Sequence, residues 1–318
     1  MTTALMERPL LPRAKRAFSF ARHDTFHIRD GWLAKGIHAI AQEPEALYGP
    51  DSHHELGVGV NMIKSIRYWI EATGLARPRN DLRTNKESAI AYELTSIGQS
   101  ILTHDPYLED MATLWLVHGQ LVSNQPLATS WHWIFNVMPP NDFSIESIGR
   151  GLASYAEQSL AVAPTPNSIR KDILCIIRTY TREIQGRKGS ADHDPLGCPL
   201  AALGLMAATG GGGRFKLVIG QHPTIPVQVF LYFLYRFVRL GNRDSRIASF
   251  EDVRWAPLSP GRLLCLDGEA IRDLIGASEA AYGRDSAREI KTAGLDQILI
   301  SDREPEKFIQ DYYGARDG

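Results

Sequence analysis

Residues 55–75 read ELGVGVNMIKSIRYWIEATGL, and their periodicity sets how the rest of the chain is read. At about 100° per residue, Met62, Ile63, Ile66, Trp69 and Ile70 fall on one side of a helix over 61–73. Asn61, Lys64, Ser65, Arg67, Tyr68 and Glu71 fall on the other side. One face is built for burial and the other carries hydrogen-bonding groups. Gly57 and Gly59 place a tight turn before this helix, and Gly74 is suited to stop it. Upstream, Trp32, Leu33, Ile37 and Ile40 recur at helical spacing in IRDGWLAKGIHAIAQ. A helix, a short helix, a glycine turn and an amphipathic helix together describe a helix-turn-helix.

The stretch AYELTSIGQSIL, residues 91–102, reads as a short strand, a turn at Ser96–Gly98 and the start of another helix. The spacing Leu94-Thr95-x-x-Gly98 occurs where many winged-helix domains close their wing. The basic loop of Arg77, Arg79, Arg83 and Lys86 would lie beside that wing. Asn61, Lys64 and Ser65 would then occupy the half of a recognition helix that reaches a groove. Lys64 and Arg67 suit phosphates, and Asn61 suits an adenine edge. The competing reading is a solvated face on a packed helix.

The pattern further along is helical with short hairpins at intervals. TPNSIRKDILCIIRTYTREI, residues 165–184, puts Ile169, Ile173, Ile176, Ile177 and Tyr180 on one side and Arg170, Lys171, Arg178 and Arg182 mostly elsewhere. It is a candidate second helix-turn-helix. LSPGRLLCLDGEAIRDLIG reads as turn, strand and helix, and AREIKTAGLDQILI as a strand pair. The fold class expected is mainly α with short β-hairpins, arranged as winged helix-turn-helix modules. Residues 1–20 form a basic arm, 21–125 an N-terminal winged-helix DNA-binding domain, and 126–318 a mostly helical domain with candidate second and third modules.

With 318 residues, 44% hydrophobic and 22% charged, the chain has the composition of a soluble globular protein. A net charge of −1 excludes a histone-like polycation but not a local basic patch. Cys175, Cys198 and Cys265 are far apart, with no C-x-x-C pairing, so they read as buried free thiols in a reducing cytoplasm rather than a zinc site. The N-terminus lacks the apolar run of a secretory signal. VQVFLYFLYRFV, residues 227–238, is too short to span a bilayer and is interrupted by Arg236, so it reads as a core helix.

The densest polar cluster is FARHDTFHIRDGW, residues 20–32, with His23, Asp24, His27, Arg29 and Asp30. Phosphodiester cleavage needs a group to position hydroxide and another to stabilise the phosphorane. Asp24 is the candidate Mg2+ ligand or base, His23 or His27 the proton donor, and Arg29 the holder of the scissile phosphate. The competing reading is a structural strand end. THDPYLEDM offers His104, Asp105, Glu109 and Asp110, but capping and helix N-terminal charge preference account for its carboxylates. His118 falls on an apolar stripe and reads as a core histidine. The Gly210–Gly213 run lacks the Lys-Ser/Thr of a phosphate loop, and GVGVN lacks the preceding strand of a dinucleotide fingerprint.

RHDTFHIRDGWLAKG (22–36), LGVGVNMIKSIRYWIEATGL (56–75) and DPYLEDMATLWLVHGQL (105–121) resemble the SspB-like proteins of bacterial single-strand DNA phosphorothioation clusters. PLAALGL, LSPGRLLCLD and KTAGLDQI extend the likeness more weakly over nearly the whole chain. The resemblance implies DNA binding, strand nicking, an ATPase partner and a sulfur-transferring partner, a homodimer, and a role in anti-phage defence. It supplies no catalytic motif, although Asp24 stands where the family pattern H-[ED]-T-F has an acidic residue. A non-catalytic winged-helix DNA-binding adaptor or transcription regulator is the alternative.

Overall fold

The apolar stripe of residues 61–73 finds its partner in the helix before it. In the computed structural model, which describes residues 18–79, 90–159, 164–181, 197–210, 213–292 and 294–316, α1 (Trp32–Gln42) packs on α3 (Val60–Ala72). The short α2 (Ser52–Glu55) lies between them in sequence. Ile63, Ile66, Trp69 and Ile70 are buried, as their spacing requires. Gly74, at φ 66°, ends α3 in the left-handed region that glycine adopts without penalty. The chain then enters β1 (Ala76–Pro78), which pairs antiparallel with β2 (Tyr92–Leu94), Ala76 opposite Leu94.

Thr95 and Gly98 show what the Leu94-Thr95-x-x-Gly98 spacing does. Thr95 caps α4 (Ser96–His104), its Oγ1 accepting from the Gly98 N–H at 3.1 Å while donating to the Gly74 carbonyl at 2.7 Å. A Cβ on Gly98 would lie 1.9 Å from the Leu75 carbonyl oxygen, which is backbone and cannot swing aside. Gly98→Ala is therefore expected to cost about 3 kcal/mol, at the upper end of overpacking penalties. Urea unfolding checks this; a variant within about 0.5 kcal/mol of wild type would show that the strand and helix can separate freely.

α5 (Met111–Ser123) begins later than the sequence suggests. The capping expected of these carboxylates is divided: Asp105 closes a turn, its two carboxylate oxygens accepting from the Glu109 and Asp110 N–H groups, both at 3.0 Å. Leu108 has φ 58°, which no helix tolerates, and Asp110 is the actual N-cap of α5. α6 (Thr129–His132) follows and runs into a π-helical turn at Trp133–Val137.

The remaining chain contains one topology twice. First come β3 (Phe143–Ser144), α7 (Ile145–Ser159), α8 (Pro166–Tyr180), a 3-10 turn at Pro199–Leu203, β4 (Met206–Ala208) and β5 (Arg214–Leu217), with sheet order β3-β5-β4. After α9 (Val227–Val238) come β6 (Ile247–Ser249), α10 (Phe250–Trp255), α11 (Pro260–Leu263), α12 (Gly268–Tyr282), β7 (Ala287–Thr292) and β8 (Leu295–Ile300), with order β6-β8-β7. In both, a lone strand precedes helices and pairs with the second strand of the hairpin that follows them. The fold is mainly α with short antiparallel strands. α13 (Pro305–Gly314) closes the chain against α9 and α4.

α9 is apolar nearly all round because it is enclosed by α5, α11, α12 and α13. Phe230 to Tyr235 and Phe237 are all buried, as a core helix requires, and present no surface to a second copy of the chain. Among the described residues no helix is long and apolar enough to cross a membrane. The cysteines are free and buried, as their apolar neighbours imply. One connected core runs from Ile28 to Tyr313, so buried residues on both sides of the 125/126 boundary belong to it.

His118 lies in that core, between the Tyr180 hydroxyl and the Leu263 carbonyl, each at 2.8 Å. Burial pushes its pKa down to about 3. The unfolded chain takes up a proton near pH 6.5 while the folded chain does not, so this contribution to stability is full above that pH and lost below it. Lowering the pH from 7 to 5 is expected to remove about 2 kcal/mol through His118. Urea unfolding of wild type and His118→Gln at both pH values isolates that share; equal pH dependence in the two would contradict it.

Candidate functional site

The polar cluster at 20–32 splits between the interior and the surface. His23 is wholly buried, its ring 6.0 Å from Trp69 and 5.7 Å from Trp131. Its Nε2 faces Asp172 Oδ1 at 3.0 Å, and its Nδ1 has no partner among the described residues. Asp172, 1% exposed on α8, is the centre of this arrangement. It also accepts from the Ala21 N–H at 2.7 Å and from the Ser130 hydroxyl at 2.6 Å. Ser65 Oγ donates to the His23 carbonyl at 3.1 Å, and Ser19 N–H to Thr129 Oγ1 at 3.2 Å. These bonds fasten residues 19–23 to α3, α6 and α8. His23 therefore cannot meet a substrate in this conformation, which removes it from the proton-donor role its spacing suggested.

Above that anchor, residues 21–25 form a turn. Ala21, Asp24 and Thr25 have φ of 54°, 47° and 70°, the left-handed region that non-glycine residues rarely enter. For a β-branched threonine this is costly, on the order of 1–3 kcal/mol, and persists only because the surroundings impose it. Asp24 is exposed at this strained turn. His27 and Arg29 follow in irregular chain, half-buried, with the Arg29 guanidinium 5.4 Å from the Phe26 ring and 5.5 Å from the Trp32 ring. Asp24, His27 and Arg29 share one surface segment; His23 does not join them.

The polar face of α3 is mostly consumed by packing. Ser65 is bound as described, and the buried Tyr68 hydroxyl donates to the Leu127 carbonyl at 3.1 Å. The Arg67 guanidinium lies 4.2 Å over the Tyr48 ring, and the Glu71 carboxylate accepts from the Tyr92 hydroxyl. Only Asn61 and Lys64 of the residues expected on a groove-facing side remain fully exposed. Ser65 is thus corrected from a DNA contact to a structural bond. Arg77 and Arg79 both face Glu93 across the β1–β2 pair, at 2.6 and 4.0 Å, so part of their charge is met within the protein. Arg83, Lys86 and the basic arm fall outside the described residues.

The carboxylates of 103–111 line an open polar cleft of about 320 Å³ with His104, Tyr313 and Arg316. Asp105 and Asp110 are committed there, Asp110 accepting from Ala112, Tyr312 and Arg316. Among the described residues no group of three or more His, Cys, Asp or Glu side chains is placed to hold a metal ion. Asp24 therefore belongs to no cluster of three or more such side chains among the described residues, and these residues do not form a multi-ligand Mg2+ site by themselves.

Asp172 and Ser130 are not among the residues expected from the sequence to matter. The signal was present: a carboxylate at 172 sits on the buried face shared by Ile169, Ile173 and Ile176.

A mostly helical protein with hairpin-ended helical units, a buried carboxylate anchor and a strained exposed turn is the class these features define. The chain belongs to the family described as protein of unknown function, DUF4007, whose model matches residues 20–313. Its fold is SspB-like. A crystal structure of SspB is 27% identical, with a TM-score of 0.82, and the match covers 96% of this chain and 89% of that one. A magnesium ion-bound SspB crystal structure is also 27% identical, with a TM-score of 0.82, over 94% of this chain and 87% of that one. Among curated proteins nothing matches.

Proposed function

We propose that this protein is the DNA-binding, strand-nicking component of a DNA phosphorothioate modification system with a role in anti-phage defence. The observation that carries the reading is the likeness to SspB along 94% of the chain. The helix–hairpin units are read as winged-helix modules, the order β3-β5-β4 and β6-β8-β7 being what a strand, helices and a returning wing produce. Asn61, Lys64, Arg67, Arg77, Arg79, Arg83 and Lys86 contribute to the DNA contact of the first module. Asp24 serves as base or as a ligand of a divalent cation, His27 as proton donor, and Arg29 as the clamp on the scissile phosphate. The strain stored at Ala21, Asp24 and Thr25 supports a functional turn there. Mg2+ commonly takes one or two carboxylates and completes its shell with substrate phosphates and water, so a site assembled only with DNA suits a single aspartate.

The nick would open the strand for an ATPase and a sulfur-transferring partner. A cytoplasmic homodimer remains part of the proposal, through a surface other than residues 230–237. Light scattering that shows only monomer, with and without DNA, would remove the dimer.

The burial of His23 and the lack of a multi-ligand cluster among the described residues favour a second reading, a non-catalytic DNA-binding adaptor or regulator. Supercoiled plasmid incubated with the purified protein, with and without Mg2+, separates the two. A nickase yields open circles. An adaptor retards the plasmid and leaves it supercoiled.

A further inference from the structure

The helices that precede the three hairpins, α3, α8 and α12, hold equivalent places in their units, but their exposed faces differ in charge. On α3 only Asn61 and Lys64 are fully exposed among the polar residues expected to face a groove. On α12 the exposed side carries Glu269, Arg272 and Asp273, and Arg272 is paired with Glu289 at 3.1 Å. On α8 the exposed charges are Arg170, Lys171 and Arg178, and its one acid, Asp172, is turned into the core. Taking about 100° per residue, Asn167, Arg170, Lys171 and Arg178 lie within an arc of about 100°. Arg170 and Arg178 are eight residues apart, about 12 Å along the axis, which matches the major-groove width of about 12 Å.

The hairpin of the same unit continues this charge. β5 alternates, with Phe215 and Leu217 turned inward and Arg214 and Lys216 exposed. Among the described residues none of Arg170, Lys171, Arg178, Arg214 and Lys216 is in an ion pair. The acids facing this region from α7 are Glu146 and Glu157, which line the groove between α7 and α8 with Arg170. The Glu146 carboxyl is held below its usual range by the Ser144 hydroxyl and its own N–H, and also by Arg170 and Arg150. Arg170, Lys171 and Arg178 on α8 outnumber these two acids. Three cations on one helix face, outside any ion pair among the described residues, with two more on the hairpin of the same unit, suit a polyanion rather than a protein ion pair.

We infer that the exposed face of α8, with Arg214 and Lys216 of the β4–β5 hairpin, is the principal contact with the phosphate backbone of duplex DNA, ahead of α3. The inference rests on the DNA-binding reading above and places the dominant contact in the second unit. Arg170, Lys171 and Arg178 neutralise phosphates, and Asn167 lies beside them where base edges come within reach.

The test is titration of a short mixed-sequence DNA duplex with full-length protein by fluorescence anisotropy, between about 50 and 200 mM salt. The proteins are wild type, Arg170→Ala/Lys171→Ala/Arg178→Ala, Arg170→Lys/Arg178→Lys and Lys64→Ala, each first shown by circular dichroism to be folded. Each lost phosphate contact lowers the slope of log K against log salt by about 0.9. The triple variant is expected to lose about 2 to 3 units of slope and 10-fold or more in affinity, the lysine variant to stay near wild type, and Lys64→Ala to lose at most about 1 unit. A folded triple variant with wild-type affinity and slope would overturn the assignment to α8 while leaving DNA binding intact. Wild type that binds no DNA would overturn the DNA-binding reading itself, and the assignment with it. Stronger binding of duplex RNA than of DNA would overturn the choice of ligand.

Discussion

Asp172→Ala is expected to destabilise the protein by about 3–5 kcal/mol, the range for removing one member of a buried charged network. Asp172 is 1% exposed and accepts from Ala21, His23 and Ser130. Alanine strands all three donors, two of them, His23 and Ser130, on fully buried side chains, and each buried donor left unpaired carries its own desolvation penalty. Asp172→Asn should cost much less, about 1–2 kcal/mol. Its Oδ1 can still accept from Ala21 and His23, and the Ser130 hydroxyl can reverse to accept from the new amide. At about 2–4 °C per kcal/mol, alanine should lower Tm by roughly 10 °C and asparagine by a few degrees. Calorimetry of both variants checks this, and equal losses would mean that the carboxylate is not holding three donors at once. Hydrogen exchange adds a local readout, because residues 19–25 should lose protection first as their anchor goes.

Asp24→Asn is expected to reduce plasmid nicking by about 10²- to 10⁴-fold, the usual worth of a general base. The substitution keeps size and shape, and asparagine accepts the left-handed backbone that Asp24 adopts at φ 47°. The turn should stay in place, and DNA affinity should stay near wild type. His27→Ala should also slow nicking without loss of binding. If both variants nick at the wild-type rate, the chemistry lies outside residues 24–29.

The helices were legible because their apolar spacing is local. Ile63, Ile66, Trp69 and Ile70 are buried as the periodicity of 61–73 demands. The opposite face was not legible. A helical wheel shows which residues turn away from one core stripe, but not whether a second layer covers them. Residues 19–23 and the Leu127 carbonyl are that layer, and they take up Ser65 and Tyr68. His23 misled for a similar reason: its neighbours Asp24 and His27 are close in sequence, but its partner is 149 residues away. Asp172 was readable as a carboxylate within an isoleucine stripe, although its donors come from distant segments. The pairing of β3 with β5 and of β6 with β8 spans intervening helices, so only the turn, strand and helix order could be read ahead of the fold.

The most direct measurement is a time course of supercoiled plasmid with wild-type protein and Mg2+, resolved on native and denaturing gels. The expected result is conversion of supercoiled DNA to open circles, with one intact strand and one broken strand per molecule and little linear product. Plasmid that is bound and retarded but keeps both strands intact at every time point, or that goes straight to linear form, would contradict strand nicking as the activity of this protein.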